Sequence, residues 1–81
     1  MKYLSLNQVP CGKSYKIIEI SAGLEVRKKM LTLGIHVGDM ISKISQSRWS
    51  PVLIRNLTTH SSKIAIGQGL SRKIMVGDES L

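Results

Sequence analysis

Seven glycines cut the apolar residues of this chain into short runs, and that punctuation limits the folds open to it. Gly12, Gly23, Gly34, Gly38, Gly67, Gly69 and Gly77 separate aliphatic segments at about the ten-residue spacing of short strands joined by turns. The pattern predicts an all-β barrel or sandwich. With 81 residues, the chain has room for a single domain, 1–81. A domain this small buries only roughly 60% of the surface its unfolded chain exposes, so its core is thin. Aromatics are limited to Tyr3, Tyr15 and Trp49, and the core must therefore be built from Ile, Leu, Val and Met.

Ser14 to Ile20 reads as the first long strand. Strict alternation puts Ile18 and Ile20 on one face and Tyr15, Ile17 and Glu19 on the other. From Leu24 to Leu33 the period changes to that of a helix. Glu25 lies near its start and Lys28 and Lys29 toward its end, as the helix dipole favours. Gly34 supplies the left-handed stop. At 100° per residue this helix carries two apolar stripes: Val26, Met30 and Leu33 on one side, Leu24 and Leu31 well around the cylinder. One stripe faces the barrel. The other is either half-covered by a loop or the N-terminal segment, or left exposed for a partner.

Further strands are expected at Met40–Ser45, Val52–Leu57 and Lys63–Ile66, with Ile64 and Ile66 on one face. A polar loop over residues 46–51 carries Trp49 at its tip. One helical turn is expected around Leu70, then a short last strand at Ile74–Val76. The tail from Gly77 to Leu81 is polar and reads as frayed. If Val76 ends an open edge, weak dimers or trimers follow.

The net charge of +7, from 12 Lys and Arg against 5 Asp and Glu, favours an acidic partner. The cations are nevertheless scattered, with Arg27-Lys28-Lys29 the one triplet, and read mostly as solubilising surface. One cysteine, Cys11, forms no internal disulfide, in keeping with a reducing compartment. The N-terminal residues lack a signal-like apolar stretch, and no segment approaches the ~20 apolar residues of a membrane span. The expectation is a cytoplasmic protein without membrane insertion.

Catalytic chemistry finds no constellation here. Cys11, His36 and His60 lack the close spacings of metal ligands or of a nucleophile and its base. The carboxylates form no acid/base pair, and Gly67-Gln68-Gly69 is no phosphate loop. No catalytic residue, metal or cofactor is expected. The rival binding class is a small basic barrel for RNA or single-stranded DNA, with Trp49, Arg48, Tyr3 and Tyr15 as a thin stacking platform.

Three segments, taken in order, carry a family resemblance. Leu4, Pro10 and Gly12 stand at the spacing that leads into the first long strand. The run Lys29-Met30-Leu31-Thr32-Leu33-Gly34-Ile35-His36-Val37-Gly38-Asp39-Met40-Ile41 combines a basic residue and spaced aliphatics with Leu-Gly and then Gly-x-x-Ile. Ile64-Ala65-Ile66-Gly67-Gln68-Gly69-Leu70-Ser71-Arg72-Lys73-Ile74-Met75-Val76 closes with a final Ile-x-Val. Together these resemble the FeoA family across nearly the whole chain. Lys29 stands where that family more often has Arg, Met30 where Leu is usual, Ser50-Pro51 where Gly-Pro is common, and Ser71 where Ala is frequent.

The resemblance implies a mainly β, SH3-like small barrel with one inserted helix near residues 24–33 and a helical turn near residue 70. It implies a non-enzymatic accessory role in bacterial ferrous iron transport, docking on the cytoplasmic side of the membrane GTPase-transporter FeoB. The same fold closes some metal-responsive repressors, but 81 residues are taken up by the barrel and leave no DNA-binding domain. The expected docking residues are Leu24 and Leu31 as apolar anchors, Arg27 and Lys28 as charged rim, and Leu70 lining an adjoining groove.

Overall fold

A computed structural model describes residues 3–77. Its elements are β1 (Tyr3–Ser5), β2 (Ser14–Ile20), α1 (Leu24–Thr32), β3 (Met40–Ser45), β4 (Val52–Asn56), β5 (Lys63–Ile66), α2 (Gln68–Ser71) and β6 (Ile74–Gly77). All strand pairs are antiparallel, and the strand order is β1-β6-β2-β3-β4-β5. The inner face collects Leu6, Tyr15, Ile17, Ile20, Ile41, Val52, Ile54, Ile66, Ile74 and Val76, closed by Met30 and Ile35 from around α1. The expected strands and the helix are all present within a residue or so of their ends.

Two bulges bend the sheet around this core. Opposite β6, Ile17 pairs with Val76 and Glu19 with Met75, so Ile18 is an extra residue. The expected faces of β2 are corrected accordingly. Tyr15, Ile17 and Ile20 all point inward and Ile18 is half-buried, because the inserted residue reverses the parity of the strand. β3 repeats the device: Lys43 pairs with Ile54 and Ser45 with Leu53.

The open edge expected at Val76 is also corrected. β1, a three-residue strand absent from the sequence reading, pairs Leu4 with Val76 and covers β6. The sheet ends instead at β1 and β5, both short, which is how edges are kept from pairing further. Gly77 belongs to β6; the rest of the tail expected to fray lies outside the described residues.

Lys43 is an exception to the reading of the cations as mostly solubilising surface. It is 1% exposed, on the inward face two residues after Ile41. Its Nζ donates to the carbonyl oxygens of Val9 at 2.6 Å, Leu6 at 2.8 Å and Asn7 at 3.4 Å. An ammonium has three protons to place, and here all three go to one loop. Burial depresses its pKa, offset in part by the charge of Cys11. The buried cation thus fastens the segment after β1 across the end of the barrel.

Candidate partner-docking surface

The one long helix owes its placement to its ends. Gly23 stands at the N-cap without a side-chain bond, and Arg27 N–H donates to Gly23 O at 3.1 Å. The other end is closed more firmly. Gly34 adopts φ +86°, Ile35 N–H donates to Met30 O at 2.9 Å, and Gly34 N–H to Leu31 O at 3.0 Å. This pair of bonds, with Met30 and Ile35 both fully buried, is a Schellman stop with its apolar contact. It determines the rotation of α1 about its axis.

With Met30 buried and Val26 and Leu33 packed against the core, the opposite side of the cylinder is turned to solvent. Leu24 is 68% exposed and Leu31 56%. Seven residues apart, they stand nearly in line along the helix. Arg27 and Lys28, also exposed, lie between them at i+3 and i+4. Four of the five expected docking residues therefore form one continuous stripe, uncovered by any loop among the described residues. The fifth does not join it: Leu70 is half-buried and packed on the core. α2 does approach the start of α1, since Ser21 N–H donates to Lys73 O at 2.7 Å.

Beyond the Schellman stop, a polar junction ties α1 to the sheet. Asp39 Oδ2 accepts from Asn56 Nδ2 at 2.7 Å, from His36 Nδ1 at 2.9 Å and from His36 N–H at 3.1 Å. Asn56 Nδ2 also donates to Gly34 O at 2.8 Å. Burial pushes the Asp39 pKa up, but the bonds from Asn56 and His36 outweigh it and the carboxyl lies below its ordinary value. Neither Asp39 nor Asn56 is singled out as a polar junction by the sequence. The available signal was Asn56 at the inward parity of Val52 and Ile54.

Two features bear on the other readings. Tyr15 is buried, with its hydroxyl donating to Pro10 O at 2.7 Å, which removes it from any stacking platform for nucleic acid. Among the described residues no three His, Cys, Asp or Glu side chains are grouped to hold a metal ion.

Comparison with known proteins decides the relationship. The FeoA domain family model matches residues 4–77. The chain belongs to the FeoA family. A chain of Methanocaldococcus jannaschii named as Fe(2+) transport protein A is 36% identical over 67 residues, 83% of this chain and 77% of that one. A crystal structure titled as iron uptake regulatory protein (FeoA) superposes with a TM-score of 0.80 at 23% identity, covering 95% of this chain and 97% of the other. A manganese-dependent transcriptional repressor in complex with manganese reaches 0.85 at 13% identity, with 95% of this chain on 37% of the repressor. These likenesses show the SH3-like FeoA fold. No helix among the described residues of this FeoA chain is long and apolar enough to cross a membrane.

Proposed function

We propose that this FeoA chain is a cytoplasmic, non-catalytic accessory module of ferrous iron transport, and that it docks on the cytoplasmic side of the FeoB transporter through the outward face of α1. The observation that carries the reading is the stripe itself. Two leucines more than half exposed stand on a helix locked from behind by Met30, with Arg27 and Lys28 between them. Leucine side chains held in water gain about 1.5–3 kcal/mol each when fully buried by a partner, and a rigid helix gives up little entropy on docking. The cations supply orientation and salt-dependent encounter more than affinity. Family membership and the name borne by the M. jannaschii relative support iron transport as the setting.

The test is capture of detergent-solubilised FeoB from the same source by the purified chain at several salt concentrations. Wild-type chain is expected to retain the transporter, Leu24→Asp and Leu31→Glu to lose it, and Arg27→Gln/Lys28→Gln to retain it with weaker dependence on salt. Equal capture by the leucine variants would remove α1 from the interface; no capture by the wild type under any condition would end the docking reading.

A further inference from the structure

The β3–β4 loop holds the most exposed large apolar side chain among the described residues, and the loop is built to hold it there. Trp49 is 88% exposed, so the core gains nothing from it. Yet the backbone around it is tied down. The two amide protons on Gln68 Nε2, from α2, are shared among the carbonyl oxygens of Ser47 at 2.8 Å, Ser50 at 2.9 Å and Arg48 at 3.0 Å. Ser50 N–H donates to Ser47 O at 3.3 Å, the two serine hydroxyls are hydrogen-bonded to each other, and Pro51 restricts the exit. Arg48 places its guanidinium 5.3 Å from the Trp49 ring centroid, a cation–π distance.

The segment that contains this loop carries charge of one sign. From Met40 to Gly77 the sequence has no Asp or Glu, while it carries Lys43, Arg48, Arg55, Lys63, Arg72 and Lys73. All of these except Lys43 are exposed. Arg72 follows Gln68 by four residues and stays in helical conformation, so it shares the face of α2 from which Gln68 reaches the loop.

The geometry points to a peripheral membrane contact: Trp49, flanked by Arg48 and Arg72, seats the indole at the headgroup level of an anionic lipid bilayer. An indole is apolar in its body and polar at its N–H, which is why tryptophan concentrates at that depth. Each cation near an anionic leaflet strengthens binding about fivefold. A loop already fixed by Gln68 loses little freedom on insertion. Single-stranded nucleic acid fits less well, because successive bases need successive aromatic platforms. Arg48 lies over the Trp49 ring, and Tyr15 is buried.

Trp49 is the only tryptophan, so tryptophan emission excited at the red edge, where tyrosine does not absorb, reports this loop alone. With vesicles of phosphatidylglycerol and phosphatidylcholine, a blue shift and protection from iodide quenching are expected. Both should disappear in high salt or with phosphatidylcholine alone. Trp49→Ser should abolish most vesicle co-sedimentation, and Arg48→Gln or Arg72→Gln should weaken it about fivefold. Gln68→Ala should also weaken it while leaving the folded spectrum intact. Unchanged Trp49 emission with anionic vesicles overturns the proposal, as does undiminished co-sedimentation of Trp49→Ser. A response to a single-stranded oligonucleotide without one to vesicles overturns it in favour of nucleic acid. The vesicles contain no transporter, so either result is independent of docking through α1.

Discussion

Lys43 Nζ donates to the Val9 carbonyl across 2.6 Å, joining a strand in the middle of the sheet to a loop 34 residues earlier. A buried cation without a carboxylate partner is costly unless its protons are all placed, and the Leu6, Asn7 and Val9 carbonyls provide that. Lys43→Ala removes the donors and the packed stem together, leaves buried carbonyls unpaired, and is expected to cost ~2–4 kcal/mol. Lys43→Met keeps the stem and is expected to cost less, about 1–3 kcal/mol. Urea unfolding measures both, and hydrogen exchange should show residues 6–9 losing protection first. Because burial sets the folded pKa below 10.5, the unfolded chain binds this proton more tightly. Stability should then rise as pH climbs from the folded value toward 10.5, a rise that Lys43→Met lacks.

Asp39 gives a dependence of the same sign at the acid end of the pH range. Its folded pKa lies below the ordinary 3.8, so the stability it adds is complete above that value and is lost as pH falls through the folded one. Asp39→Asn is expected to cost about 1.5–3 kcal/mol at neutral pH, with the difference from wild type shrinking along the acid limb. Unfolding followed by circular dichroism at a series of pH values checks this. A constant difference at every pH would mean that the carboxylate charge has no part in the junction.

The two faces of α1 should separate cleanly by mutation. Met30 is fully buried, and Met30→Ala is expected to cost ~2–5 kcal/mol through lost burial and the cavity left behind. Leu31→Glu, one residue on, should stay within about 1 kcal/mol, a small loss attributable to an acidic group near the helix C-terminus. Parallel thermal melts of the two variants decide it. A large loss for Leu31→Glu would make that residue part of the core and remove it from the docking stripe.

Gly34 has open space where a Cβ would stand but a φ of +86°. Gly34→Ala is therefore expected to cost about 1–2 kcal/mol from backbone conformation alone, without a clash. Gly23→Ala, also in open space but at negative φ, should cost far less. Equal losses in denaturant midpoint would contradict the Schellman stop as the element that orients α1.

Local signals settled much of this molecule. Turn glycines and short aliphatic runs placed β2 through β6, and the change of period with Gly34 placed α1. The stripe Leu24, Arg27, Lys28 and Leu31 was legible because helical spacing alone separates it from Val26, Met30 and Leu33. Which stripe turned outward was not. That depended on the Schellman bonds and on Asn56 reaching Gly34 from β4.

The remainder arose only on closure of the barrel. A bulge at Ile18 reverses strand parity, and no residue type announces where the partner strand will skip one. Lys43 looks like any other surface lysine until carbonyls from residues 6, 7 and 9 converge on it. Gln68 became the clamp of the Trp49 loop because α2 crosses beside a hairpin some twenty residues away in sequence. Periodicity and turn chemistry act between near neighbours and can be read along a chain. Burying a polar group depends on which distant backbone atoms come to meet it, and only the tertiary structure brings them there.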